Sequence, residues 1–348
     1  INGEDIVDDS SYDDVYYYHP GGELRITQET QRESDYVRYT DYETAETGVR
    51  YTDKNGTWTR STFTSRADDV TITKISASDT DTKVDLTLSF DDISVMANYN
   101  DGNEKDMQYK KIVADDCEYI AFVAHYPNYE NSELKNGGYA TLTYVITQGG
   151  TKEKISGKAV DDEQYAAEDN PQIQITDADQ VYLITVSDRT YEMGALADFA
   201  AAQEYALVNE LADDCKAVAQ KYSQSGAFDY DAALNAHTAL HQPQFDAVTF
   251  TLNGGSSNAS NETLLKNARG EDDISSALAQ RAFYSGRYAY LCCAGTSTSR
   301  LYGMWTGEWN TSWGSKYTMD ANVNLQISSM NTGNISLSLI HISEPTRH

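Results

Sequence analysis

The sequence is missing most of the features that make a function easy to assign. It has no run of about 18 apolar residues, which excludes a membrane-crossing helix. It has no Lys/Arg-rich stripe: 54 acidic residues stand against 26 basic ones, a formal net charge of -28. A surface this negative repels phosphate backbones and anionic lipid, so nucleic acid and anionic membranes are not expected partners. Cysteine is scarce, and Cys117, Cys215, Cys292 and Cys293 form no C-x-x-C pair. Neither a disulfide framework nor a zinc site is expected from them. His237 and His241 stand four apart but lack the Glu of H-E-x-x-H and a third ligand, so they read as packing histidines and no metal is expected. Asp79-Thr80-Asp81 and Asp115-Asp116 lack the ordered oxygens and turn glycine of a calcium loop, and read as solvated strand ends. Without G-x-S-x-G, Walker or G-x-G-x-x-G elements, the serine-hydrolase and nucleotide readings weaken, and no cofactor is expected.

What is present is material for a packed core. Apolar residues make up 40% of the chain, and there are 26 tyrosines. Tyrosine suits half-buried strands, because the ring packs while the hydroxyl stays wet. Val84, Leu86, Leu88 and Phe90 alternate with polar residues, Val70 and Ile72 open a similar run, and residues 139–146 and 181–186 are rich in β-branched and aromatic types. Asn55-Gly56, Gly137-Gly138 and Gly149-Gly150 read as turns between strands. Up to about Ser187 the expectation is a large antiparallel sandwich. The period then changes. Phe199, Leu207, Leu211, Cys215, Val218 and Tyr222 recur on three- and four-residue steps, predicting a long amphipathic helix that ends near Ser225-Gly226. A second helix is expected from Asp229 to about His241, stopping before Pro243. Residues 245–252 (FDAVTFTL) alternate and read as one strand, and residues 253–260 as a polar loop. A further helix is expected from about Ile274 to Cys293, capped by Asp272 or Asp273, with a short one from Ala321.

The two ends read differently from the rest. The chain opens on Ile1 rather than Met, which suggests a missing start. Residues 337–347 (LSLIHISEPTR) look like a translated sequencing-library adapter, so residues 337–348 are set aside as a non-native tail. A fragment cut at both ends is therefore expected.

The segment RLYGMWTGEWNTSWGSKYTMDANVNLQ is unlike its surroundings. Three of the four tryptophans, Trp305, Trp309 and Trp313, fall within it among Gly and polar residues rather than Leu, Ile or Val. Flat apolar rings stack on the C–H faces of sugars while neighbouring amides and carboxylates bind hydroxyls. Asp320, Asn322 and Asn324 alternate directly afterwards, and each Asn offers both a donor and an acceptor. On residue types alone, a sugar-binding wall and a tryptophan-rich packing loop fit equally well.

These residues resemble glycoside hydrolase family 95, the inverting α-L-fucosidases and their relatives acting on α-L-galactosides. Gly303-Met304-Trp305 is similar to that family's G-x-W-N, residues 313–317 to W-G-S-D-Y, and residues 322–327 (NVNLQI) to N-I-N-x-Q-M. Upstream, residues 283–295 (FYSGRYAYLCCAG) resemble its Y-G-R-Y-L-L-I helix, and residues 237–252 its H-x-x-D-Y-x-x-L-F passage. Residues 36–51 with 59–65 resemble a β-domain segment of the same family. The resemblance implies an N-terminal antiparallel β super-sandwich over residues 1–192 and a helical linker over 193–245. The first helices of a truncated (α/α)6 catalytic barrel would follow over 246–336. It further implies hydrolysis of terminal α-L-fucosyl or α-L-galactosyl residues from an oligosaccharide or glycan. Asn322 and Asn324 would position the attacking water, with Trp305, Trp309, Trp313 and Asp320 contacting the sugar. The family's acid Glu and activating Asp would lie beyond this chain, leaving the fragment inactive alone. A bacterial secreted or cell-surface location is also expected. Two departures, Asp320 in place of a His and residues 328–331 (SSMN) in place of N-Y-W-P, mark a divergent subgroup. The rival readings are another (α/α)6 glycosidase or phosphorylase and a non-catalytic carbohydrate-binding surface protein.

Overall fold

The computed structural model describes residues 21–30, 33–78, 81–91, 108–126, 137–157, 170–189, 199, 201–223, 226–270, 273–293, 321–328 and 333–335. They belong to two compact units. The first comprises Ile1–Thr40, Glu46–His237 and Gly307–Gly314, and the second Asp41–Ala45, Thr238–Thr306 and Ser315–His348.

The first unit is antiparallel β followed by helix, the class its sequence periods predict. Its strands among the described residues are β1 (Leu24–Thr27), β2 (Ser34–Thr40), β3 (Thr47–Thr52), β4 (Thr57–Thr64), β5 (Thr71–Ala77), β6 (Val84–Phe90), β7 (Tyr109–Val113), β8 (Tyr119–His125), β9 (Gly138–Gly157) and β10 (Asn170–Arg189). They join in the order β2-β3-β4-β5-β10-β9-β8-β7, with β6 pairing both β1 and β10. Asn55-Gly56 makes the predicted turn between β3 and β4. There Asp53 Oδ1 accepts from the Asn55 and Gly56 N–H groups and from Trp58 Nε1, at 2.8, 3.2 and 3.0 Å.

The pair Gly149-Gly150 is not a turn. It lies within β9, and both residues adopt φ = +67°. The register between β9 and β10 shifts here, between Ala178 and Gln180. This is a bulge, and its consequence is topological. Before it, β10 pairs with β6 through Gln172–Ala178; after it, β10 pairs with β5 through Gln180–Thr185. One strand thereby serves two neighbours in succession, because a bulge bends the strand and increases its local twist.

Two cores result. Leu86, Leu88 and Phe90 of β6 pack with Ile120 and Phe122 of β8 and with Ile173, Ile175 and Leu183 of β10. The Phe90 and Phe122 rings lie 6.0 Å apart. The opposite side chains of β8 and β10, Ala121, Val123, Tyr182 and Ile184, face the second core, built with the helices α1 (Ala201–Lys221) and α2 (Tyr230–Phe245). With both faces covered, β8 reads as a continuous apolar run rather than an alternating one. α1 buries Leu207, Val208, Leu211, Cys215 and Val218, the predicted stripe. Each large apolar side chain among them contributes about 1.5–3 kcal/mol.

Polar contacts fix both ends of α1. At its start Glu204 is buried, accepting from Lys110 Nζ and pairing with His125 Nε2 at 2.6 Å. Burial would raise the Glu204 carboxyl, but the Lys110 and His125 bonds outweigh it and hold the carboxyl below its usual range. At its end Asp68 accepts from Lys221 Nζ at 2.5 Å and from the Tyr222 and Ser65 hydroxyls at 2.8 Å each. Asp229 then caps α2, its Oδ1 accepting from the Ala232 N–H at 2.9 Å. Asp115 and Asp116 lie at the β7–β8 turn as predicted: Asp115 is exposed and pairs with Lys154 at 3.0 Å, and Asp116 Oδ1 accepts from the Glu118 N–H.

Candidate functional site

Of the residues expected to form the sugar-binding wall, Asn322 and Asn324 are described and belong to the second unit. That unit adds α3 (Asn261–Ala268), α4 (Ser276–Cys293) and α5 (Asn322–Ile327) to the carboxyl half of α2. Three local expectations are corrected here. α2 does not stop before Pro243 but runs through it to Phe245. Proline in a last turn loses one amide bond, the one to the carbonyl four residues back, which a helix near its end tolerates; the Gln244 side-chain amide also donates to Leu240 O at 3.1 Å. Residues 246–252 form no strand, despite their alternation. Their amides are satisfied by a helix face: Phe250 N–H donates to Tyr284 Oη at 3.0 Å and Leu252 N–H to Gln280 Oε1 at 3.1 Å. Gln280, Tyr284, Arg287 and Tyr288 follow the i, i+4, i+7, i+8 pattern of one helix face, and Tyr288 stacks on Tyr42 at 4.8 Å. Finally, Ser275 rather than an aspartate caps α4, accepting from the Leu278 N–H at 3.2 Å. α3, whose N-cap is Ser260, is a helix that the sequence periods do not predict.

Asn322 and Asn324 both lie in α5, the short helix expected from Ala321. Asn322 is half-buried and Asn324 exposed, and α5 has no side-chain cap. Residues two apart on a helix point about 200° apart around its axis. The two amides therefore leave the helix in different directions. Leu325, between Asn324 and Gln326, is 71% exposed. Trp305, Trp309, Trp313 and Asp320 lie outside the described residues.

One buried charge in this unit has no motif that marks it in the sequence. Arg287 of α4 is 5% exposed. Its Nη2 donates to Gln244 O at 2.5 Å and its Nε to Phe245 O at 3.2 Å, the last two carbonyls of α2, and its Nη1 donates to Gly333 O. Burial lowers the Arg287 pKa, but a guanidinium stays charged, and the carbonyl end of a helix suits a cation. A lone Arg amid the aromatic residues of residues 283–291 was the available signal.

The histidines do what packing residues do. His237 is buried, and its Nδ1 accepts from the Arg66 N–H at 3.0 Å. His241 is buried too, and its Nε2 donates to Tyr42 O at 2.9 Å. Each thus has one ring nitrogen committed to backbone. Among the described residues no group of three or more His, Cys, Asp or Glu gathers as metal ligands would.

Comparison with known proteins bears on what these residues serve. Residues 229–342 match the glycosyl hydrolase family 95 catalytic domain, and residues 2–194 match the N-terminal domain of glycosyl hydrolase family 65. No curated protein matches. Among solved structures, the chain is similar to a protein described as a kojibiose phosphorylase from the human microbiome. Identity is 10%, the TM-score is 0.45, and the match covers 81% of this chain and 33% of that one. It is also similar to a bacterial glucoamylase solved with acarbose, with 11% identity, a TM-score of 0.44 and coverage of 89% of this chain and 41% of that one. The chain thus spans a third to two-fifths of the length of these two proteins.

Proposed function

The chain belongs to glycosyl hydrolase family 95, with an N-terminal domain of the family 65 kind, and from that premise we propose that it serves the cleavage of terminal α-L-fucosyl or α-L-galactosyl residues with inversion. The family supports a carbohydrate substrate, and the substrate, the sugar and the stereochemistry are all part of the proposal. The observation that carries it is that the family 95 catalytic match at residues 229–342 contains the element Asn322-Val323-Asn324-Leu325-Gln326-Ile327. In this reading the Asn322 and Asn324 carboxamides hold the attacking water, donating and accepting without a change of charge. Trp305, Trp309 and Trp313 stack on the sugar, and Asp320 contacts a hydroxyl.

An inverting hydrolase protonates the leaving oxygen on one face and activates water on the other, across about 6.5–9.5 Å. The resemblance assigns no residue of this chain to either carboxylate. We therefore expect turnover from the longest natural polypeptide containing this chain and none from residues 1–348 alone, in a secreted or cell-surface setting. The helices of the second unit would then open an (α/α)6 barrel.

Proton NMR during hydrolysis of an aryl α-L-fucoside tests the reading. The first sugar released should be the β anomer. Asn322→Ala and Asn324→Ala should each lower kcat by about 10²–10³-fold, as removal of a single orienting group does elsewhere. First release of the α anomer would end the inverting assignment, and loss in only one variant would end the shared-water assignment. The rival reading is a glycoside phosphorylase. Turnover that depends on inorganic phosphate and yields a sugar 1-phosphate would select it.

A further inference from the structure

We propose that the β2–β4 corner of the first unit binds a carboxylated sugar of the uronic acid class, with Arg60 and Arg38 holding the carboxylate and Tyr36 and Tyr51 lying against the ring. Strand pairing places these residues together. Arg38 of β2 stands opposite Val49 of β3, Val49 opposite Arg60 of β4, and Arg60 opposite Ile75 of β5. Opposed residues share one face of a sheet, so two arginines flank a valine on that face. Ile75 belongs to the core, and the stem of the half-buried Arg60 continues it to its margin, beyond which Arg38 is exposed. A bulge supplies the first tyrosine. Ser34 pairs with Thr52 and Val37 with Arg50, so Asp35 and Tyr36 together oppose Tyr51. Asp35 takes φ = +51° there, and its carboxylate accepts from the Ser34 hydroxyl at 3.3 Å. An extra residue of this kind re-aims a side chain. Tyr36 is 58% exposed, yet it and Tyr51 both act on the charge of Arg60.

What marks the corner as a site is that its cations are unanswered. In the same unit, the Arg25 guanidinium is held by both oxygens of Asp91. Neither the Arg60 nor the Arg38 side chain has a hydrogen bond or ion pair among the described residues. Burial lowers the Arg60 pKa, Tyr51 and Tyr36 oppose it, and no carboxylate among the described residues acts on it. A guanidinium stays charged under that penalty. A half-dry cation with five donors and no acceptor costs the fold stability, and it is ready for a planar anion. A carboxylate matches the fork with two parallel charge-assisted bonds, while tyrosine rings offer flat faces to the C–H side of a sugar. The net charge of -28 opposes an anion at a distance. Physiological salt shortens that repulsion to about 8 Å, so the arginines at the site outweigh the remote acids.

Titration of the full chain with methyl β-D-glucuronide and with its neutral match, methyl β-D-glucoside, tests the site by saturation-transfer NMR. The glucuronide should bind with a Kd of about 1–10 mM, as a shallow one-ring site allows, and the glucoside at least tenfold more weakly. Arg60→Gln should weaken glucuronide binding at least tenfold, and Arg38→Gln and Tyr36→Ala at least threefold each. Arg60→Lys, which keeps the charge but not the fork, should fall between wild type and Arg60→Gln. If circular dichroism shows that Arg60→Gln does not fold, Arg38→Gln and Tyr36→Ala, both at exposed side chains, decide the matter. Equal affinity for the two glycosides, no glucuronide binding by about 50 mM, or undiminished binding in the folded variants overturns the proposal. Glucuronide binding no tighter than acetate overturns the assignment to a sugar. None of these measurements needs turnover, so the site is decided separately from the fucosyl reading.

Discussion

Alanine at Gly150 tests whether the β9–β10 bulge is what lets one strand serve two neighbours. Gly149 and Gly150 share φ = +67°, so alanine at either position pays the same left-handed penalty of about 1–2 kcal/mol. The two sites differ in what a methyl group would meet. At Gly149 it approaches Asp179 Oδ2 at 2.8 Å, the far end of a side chain that can swing away. At Gly150 it meets backbone, Thr176 O at 2.4 Å and Ala178 N at 2.6 Å. Reaching an ordinary contact requires β10 to retreat by about 1 Å. That retreat pulls ladder bonds out of line at about 1 kcal/mol each and shifts Ile175 and Ala178 within the core. Gly150→Ala should thus cost about 3–4 kcal/mol and Gly149→Ala about 1–2 kcal/mol. Urea unfolding followed by far-ultraviolet circular dichroism, with exchange of the β9 amides as a second probe, reads the difference. At an m value of about 3 kcal/mol/M, Gly150→Ala should lower the midpoint by about 1 M, twice the Gly149→Ala shift or more. If the two variants agree to within about 0.5 kcal/mol, the backbone approach at Gly150 is not what specifies the bulge.

Thiol reactivity offers a second check. Cys215 is buried, donates to Ile184 O at 3.5 Å and has its thiol pushed up to about 12 by burial, so it should resist alkylation at pH 8. Cys292 is the exposed cysteine among the four; mass spectrometry should find it labelled in the native protein and the others labelled only in denaturant, and native labelling of Cys215 would contradict its placement. The Asp68 cluster predicts an acid limb. Burial would raise this carboxyl, but the bonds from Lys221, Ser65 and Tyr222 hold it below its usual range. A depressed folded value means that its contribution is complete above the unfolded pKa of about 4 and is lost as pH falls through the folded value. Asp68→Asn should therefore cost about 2 kcal/mol at pH 7 and flatten the dependence of Tm on pH below about 4; a curve running parallel to wild type there would refute the linkage. Tyr284→Phe removes the acceptor of the Phe250 amide and should destabilise the second unit by about 1 kcal/mol, with faster exchange at Phe250; unchanged exchange there would mean that Tyr284 does not hold the segment.

The parts of this fold that can be read from sequence are those in which a local period meets one kind of partner. Val84, Leu86, Leu88 and Phe90 alternate because one side of β6 is buried more continuously than the other, and the stripe from Leu207 to Val218 repeats because α1 lies on a sheet. Where different partners satisfy the same local pattern, the pattern is mute. Residues 246–252 alternate like a strand, yet Tyr284 and Gln280 take the amides that a neighbouring strand would have taken. Two left-handed glycines fit a hairpin turn or a bulge equally well, and what decides between them is that β10 must leave β6 for β5, a pairing distant in sequence. Pro243 costs α2 one amide bond near its end, yet the helix runs on to Phe245, where Arg287, distant in sequence, donates to the terminal carbonyls of Gln244 and Phe245. The site divides along the same line. Asn322 and Asn324 are assigned through resemblance alone, and N-x-N spacing means one shared face in a strand and two opposed directions in a helix. Because α5 is helical, the water-holding assignment now demands more than two adjacent amides. It demands that one helix present to the same water two carboxamides that leave its axis about 200° apart.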